Sequence, residues 1–184
     1  TTGEIRIEAS AIGDRIYRWV TTGFALVIPL LLVLIAFEVF AADCAHRPDC
    51  PLGTDPRTAT TAYQALTRPL LTTPIPAGHG RSLSYDDATT GTIEALYNPA
   101  GWPGLTEGLR ALRAGDGTPL LALADSYYDG VSIDAETAIN CVDEDRTADR
   151  AVAGETARRV VAAAPFLDSG IPPVAALDTC GLWP

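Results

Sequence analysis

The sequence predicts a mainly α-helical protein preceded by one membrane helix, and three observations carry that expectation. Residues 83–129 hold three successive segments in which apolar residues recur at helical spacing, separated by short Pro- and Gly-bearing breaks. Residues 20–40 form a long apolar run whose centre, 24–37, contains no clearly polar side chain. No series of alternating segments is present that would build a parallel sheet.

Residues 1–19 are polar and mixed in charge, with Arg15 and Arg18 just ahead of the apolar run. That run carries only Thr21, Thr22 and Glu38 as polar residues. About 20 helical residues at ~1.5 Å each reach across a ~30 Å hydrocarbon core, so 20–42 is expected to span a membrane. Pro29 is compatible with a span, because neighbouring groups in a membrane helix re-satisfy the freed backbone. Arginines before the run and Asp43 after it place 1–19 in the cytoplasm and 43–184 outside the cell membrane. Two other readings stay open. Val39-Phe40-Ala41 would suit signal cleavage after Ala41, giving a secreted product, and an apolar run of this length can also be a buried core helix.

From 41 to 54 the chain reads as a loop. Asp55 then caps a helix with Pro56 at its first position and Ala59, Tyr63, Leu66 and Leu70 as its stripe, ended near Pro69. Residues 72–82, TTPIPAGHGRS, read as a surface loop. Ser84 and Asp87 form a capping-box candidate ahead of Tyr85, Ala88, Ile93, Leu96 and Tyr97, and Asn98, Pro99 and Gly101 stop that helix. Leu105, Leu109 and Leu112 mark a second helix. After Gly115-Asp116-Gly117, the residues Leu120, Leu121, Ala124, Tyr127 and Tyr128 mark a third. Residues 130–136 read as a connection into 138–143. Asp145 or Thr147 starts a further helix through Val152, Thr156, Arg159 and Val160 to about Ala164, where Pro165 stops it. The remainder, 166–184, reads as an extended cover pinned by Cys180 and Trp183.

A net charge of -10 disfavours nucleic acid as a partner, since a phosphate backbone would be repelled and no basic stripe is visible. Four cysteines, Cys44, Cys50, Cys141 and Cys180, allow three connectivities. The close pair can shut a local loop, which leaves Cys141 to meet Cys180. The spacing does not suit a zinc ribbon, and His46 alone does not complete one, so no metal is expected; free buried thiols remain the other option.

The sequence carries no recognisable catalytic motif. No GxSxG elbow occurs, and His46 and His79, the two histidines, each sit in a Pro- or Gly-bearing loop. Gly115-Asp116-Gly117 lacks the lysine and preceding strand of a phosphate-cradling loop. No catalytic residue and no cofactor is therefore assigned. Asp143 and Glu144, with Asp145, begin two residues after Cys141 and are read as a substrate-binding site for a cation such as a peptide amino terminus. The competing reading is a solvated acidic turn at a helix start. Trp102 and Trp183 read as packing anchors.

Several stretches resemble actinobacterial α/β-hydrolases of the tripeptidyl aminopeptidase-like class, which are serine exopeptidases and esterases. They are FAADCAHRPDCPLG at 40–53, RSLSYDDATTGTIEALYNPAGWPGLTEGLRAL at 81–112, LLALADSYYDG at 120–130, AINCVDEDR at 138–146 and the closing DTCGLWP. The resemblance implies that 43–184 is a helical cap domain, the lid of an α/β-hydrolase without its sheet core. It also implies that the catalytic Ser, Asp and His lie outside this sequence, so that the chain is a partial hydrolase, gating substrate and inactive alone. Its partners would be the membrane through 20–42, and a peptide substrate or a hydrolase core. The alternative is a membrane-tethered peptide- or protein-binding module. Residues 1–40 resemble instead the first transmembrane helix of a phosphate ABC-transporter permease subunit, which makes a transport fragment a further alternative.

Overall fold

Residues 35–45 form a helix (α1) whose buried positions are Phe37, Phe40, Ala41 and Cys44, spaced i, i+3, i+4, i+7, while Ile35 and Val39 face outward. This computed structural model describes residues 13, 17, 32, 35–130, 133–143, 149–172 and 180, with backbone alone at 133, 134 and 136. The Phe37 ring stacks on Phe166 at 4.3 Å between centroids and meets Tyr63 edge-on at 5.5 Å. Phe40 meets Trp102 at 6.0 Å.

These contacts correct the carboxyl end of the expected membrane segment 20–42. Its last turns lie in a protein core, and the folded unit begins before residue 43. Counting apolar residues treats every face of a helix alike, whereas a core needs only one stripe. Among the described residues no helix is long and apolar enough to cross a membrane. Residues 20–31, most of the expected span, lie outside the described residues, as does nearly all of 1–19.

A disulfide joins Cys44 to Cys50 across the turn after α1, with Cα atoms 5.3 Å apart. Asp55 accepts from the Arg57 amide and opens a 3-10 turn, Pro56–Thr58, which runs into α2, Ala59–Thr67. Pro69 converts the end to a second 3-10 turn, Arg68–Leu71. Ala59, Tyr63, Thr67 and Leu70 are buried. The Tyr63 hydroxyl, taken from water, donates to Thr92 at 3.0 Å, and burial pushes its phenol pKa up.

The stretch 72–82 is not a plain loop. Ile75–Pro76 (β1) pairs antiparallel with Ser82–Leu83 (β2), in the register Ile75 to Leu83 and Pro76 to Ser82. Gly78, His79 and Gly80 all take positive φ at the tip, which only the two glycines adopt without strain. The Ala77 amide closes on the Arg81 carbonyl at 3.0 Å, and Ala77 and Leu83 are buried beneath the hairpin.

Ser84 and Asp87 form the full reciprocal capping box of α3, Tyr85–Leu96. Pro99–Gly101 makes one 3-10 turn into α4, Trp102–Arg113, which buries Leu105, Leu109 and Leu112. Asp116 accepts from the Thr118 amide at the start of α5, Thr118–Tyr128. Gly117 abuts Leu83, Gly91 abuts the backbone of Leu120 and Ala124, and Tyr97 stacks on Tyr127. The helices α3 and α5 therefore run parallel in direct contact, and α4 returns antiparallel against α5. Gly91 is required, since a Cβ there would sit 2.5 Å from the Leu120 carbonyl oxygen.

The segment expected as a connection at 130–136 is helical from Ile133, as α6, Ile133–Asp143. Ala135, Glu136 and Ala138 favour the helix there. The next helix, α7, starts later than expected: Asp149 caps Arg150–Ala163 and accepts from the Ala151 amide at 2.8 Å. Pro165 stops it but then opens the turn Pro165–Leu167, which inserts Phe166 into the core, so the cover is not extended at its start. This turn is stapled by Gln64 donating to the Pro165 carbonyl, Tyr85 to the Leu167 carbonyl and Arg68 to Asp168. Trp183 lies outside the described residues.

Candidate functional site

The sequence-assigned acids do not assemble into a described site. Asp143 is exposed at the last residue of α6, and Glu144 and Asp145 lie outside the described residues. Cys141 is buried and bridged to Cys180, Cα to Cα 4.8 Å, which ties α6 to the end of the chain. With the first disulfide this uses all four thiols. No group of three or more potential metal-ligating side chains occurs among the described residues. His46 donates from Nδ1 to the Ala42 carbonyl at 2.7 Å, a local helix-end contact. His79 sits at the hairpin tip with φ 49°. Trp102 packs on Phe40, yet its indole N–H is buried without an acceptor among the described residues.

A different constellation stands out at the carboxyl ends of α3 and α5. Tyr97 is 68% exposed and lies nearly parallel to Tyr127, with centroids 6.4 Å apart. Tyr128 meets Tyr127 edge-on at 5.0 Å. On α5 an open depression of about 490 Å³ is lined by Ala122, Asp125, Ser126, Tyr128 and Asp129, so of the three rings it is Tyr128 that borders it. Asp125 accepts both arms of the Arg81 guanidinium, at 2.6 and 2.8 Å, and this pair holds its carboxyl below the usual range. Neither α3 nor α5 carries a basic residue in its last turn. Sequence periodicity placed Tyr97, Tyr127 and Tyr128 on packed stripes and so missed this face. The missed signal was two aromatics followed by an acid at a helix end without a cation.

A second depression, about 350 Å³, is lined by Arg158, Val161, Asp168, Gly170, Ile171 and Pro172. Its acid is already engaged by Arg68 at 3.1 Å and its arginine by Glu155 at 2.8 Å, so it presents satisfied groups and apolar walls.

Comparison with known proteins relates this helical unit to hydrolases. Carboxylesterase B of Mycobacterium tuberculosis is 45% identical over 159 residues, which take in 81% of this chain and 30% of the relative. Serine protease Hip1 of the same organism is 42% identical over 165 residues, 81% of this chain and 32% of the relative. The chain thus spans about a third of the length of the curated relatives it matches. No family model matches it. The mainly helical fold fits the cap expected from the sequence resemblance, and the relatives support an α/β-hydrolase-like relationship. The likeness of 1–40 to a phosphate permease gains no support.

Proposed function

We propose that this unit is the substrate-gating cap of an exported serine hydrolase of the tripeptidyl aminopeptidase-like class, with catalytic Ser, Asp and His supplied by sequence outside it. The observation that carries the reading is the identity of 42 to 45% with a carboxylesterase and a serine protease over a segment that makes up only 30 to 32% of each. A nearly all-helical segment of that size suits a lid laid over a sheet core, not the core itself. Two disulfides favour an extracytoplasmic setting. The two relatives' names agree on acyl-bond hydrolysis and differ on ester against peptide. A cap that shapes access would bear on that difference, while the chemistry itself stays with the core.

The test is a chimera in which this chain's matching segment replaces that of carboxylesterase B. The expected product folds, labels with a fluorophosphonate serine probe and shows a changed preference among ester and peptide substrates. A folded chimera that labels but keeps the parent's preference unchanged removes the gating role. A folded chimera that fails to label removes the hydrolase reading.

A further inference from the structure

We propose that the outward face of α6 is the surface by which this unit docks on the sheet core of its hydrolase, with Ile139 and Val142 as the contact. The proposal rests on the cap reading above and adds to it which element of the cap meets the core.

Ala135, Ile139 and Val142 recur at i, i+4 and i+7, the spacing of a helix stripe that is ordinarily buried. All three are exposed instead, Ile139 at 60% and Val142 at 74%. The face that α6 turns to its own unit is Thr137, Ala138 and Cys141, small side chains that are half-buried or buried. The helix is thus mounted with its larger apolar groups outward. Burial of an apolar stripe is what usually seats a helix in a fold. Here the Cys141 to Cys180 disulfide ties α6 to the end of the chain while the stripe stays in water. The rest of the fold keeps the rule, since α4 buries Leu105, Leu109 and Leu112 at the same spacing. Single exposed aliphatics are ordinary on a protein surface, whereas a stripe at core spacing marks a contact.

Lipid, a second copy of the chain and the sheet core are the surfaces able to cover such a stripe, and charge separates them. The helix reads IDAETAINCVD, with Asp134, Glu136 and Asp143 and neither Lys nor Arg. A helix lying in a lipid interface carries Lys or Arg on its polar face, which α6 lacks. Pairing two copies through α6 would set acid against acid, at a cost from like-charge repulsion. The core has neither objection, and its bulk is substantial. More than two thirds of each relative's length lies outside the segment that matches this chain. The complementary surface is an apolar patch edged by Arg or Lys. Ile139 and Val142 would fill the dry centre of that contact, and the helix's acids would fix its orientation.

Hydrogen exchange read by mass spectrometry compares α6 in the full chain with α6 in the carboxylesterase B chimera described above. Its amides are expected to exchange about ten-fold more slowly in the folded chimera. Ile139→Glu combined with Val142→Glu should abolish that difference and leave the thermal midpoint of the full chain within about 2 °C of the parent. Tyr97→Glu combined with Tyr128→Glu adds the same charge at other exposed residues and should leave the difference intact. Equal exchange of α6 in the chain and the chimera would overturn the proposal. Loss of the difference in both double variants would reduce it to added charge. Two further arms expose the full chain to phosphatidylcholine vesicles and to its own high concentration. Slowed α6 exchange in either would assign the face to lipid or to a second copy and overturn the proposal. Fluorophosphonate labelling of the chimera reports the cap reading separately. Labelling with unprotected α6 sinks the docking face alone, and a folded chimera without labelling sinks both.

Discussion

Replacing Phe37 by alanine tests whether α1 belongs to the globular core or to a membrane span. The ring is 1% exposed and touches two other buried aromatics, Phe166 at 4.3 Å and Tyr63 at 5.5 Å. Truncating a buried phenylalanine costs about 4 kcal/mol from lost transfer energy and the cavity left behind. In a unit of this size about 1 kcal/mol moves the midpoint by about 2–4 °C, so the expected drop is about 8–16 °C. Val39, on the same helix but facing outward, serves as the control, and its alanine variant is expected within about 0.5 kcal/mol of the parent. The assay is thermal unfolding of the purified chain followed by far-ultraviolet circular dichroism. A Phe37→Ala midpoint indistinguishable from that of Val39→Ala would refute the placement of 35–45 in the core, because a lipid-facing residue has no cavity to leave.

Gly91→Ala is expected to destabilise by about 1–3 kcal/mol, since the new Cβ overlaps the Leu120 carbonyl. Gly104→Ala meets only Leu123 at 3.7 Å and is expected to stabilise by up to about 1 kcal/mol. Parallel urea titrations decide both. The two disulfides should differ in worth: closing loops of sequence separation 6 and 39 predicts about 2 and about 4 kcal/mol from chain entropy. The urea midpoint should therefore fall further in the Cys141→Ser, Cys180→Ser double variant than in Cys44→Ser, Cys50→Ser; the reverse order would contradict this. Asp125 has its carboxyl pKa lowered by the Arg81 hydrogen bonds. A depressed folded value adds stability above the unfolded pKa of about 4 that is lost as pH falls through the folded value. Arg81→Ala should thus make the acid limb of the stability curve shallower below about pH 5, and an unchanged limb would show the pair to be idle.

Local features of this chain were legible because they are settled within a few residues. Ser84 and Asp87 satisfy each other's backbone across one turn, so the capping box needs no tertiary partner. Asp55-Pro56 and Asn98-Pro99 likewise act on amides two residues away. Where three caps lie close together, local chemistry does not choose among them: Asp145, Thr147 and Asp149 are all competent, and Asp149 starts α7. The β1–β2 hairpin escaped notice because strands of two residues carry no periodicity. Its register comes from Ala77 and Leu83 being pressed beneath the start of α5.

The tyrosine face illustrates the deeper limit. Tyr97 and Tyr127 keep helical spacing with buried residues, but whether they pack depends on where the neighbouring helix stops. The Gly91 contact sets the level of α3 against α5, which brings Tyr97 and Tyr127 into stacking. Of the acids that follow Cys141, Asp143 stands in solvent, and charge pattern alone does not separate a solvated turn from a binding site.

By itself the sequence determined that the chain is helical, where most helices begin, and that its cysteines can form one local and one long-range bridge, because propensity, capping and loop closure act over short chain distances. Only the tertiary structure decided that Phe37 and Phe40 lie in a protein core and that the tyrosines face water. An apolar side chain is equally content in lipid, in a core or at an interface, and the packing partner alone distinguishes these fates.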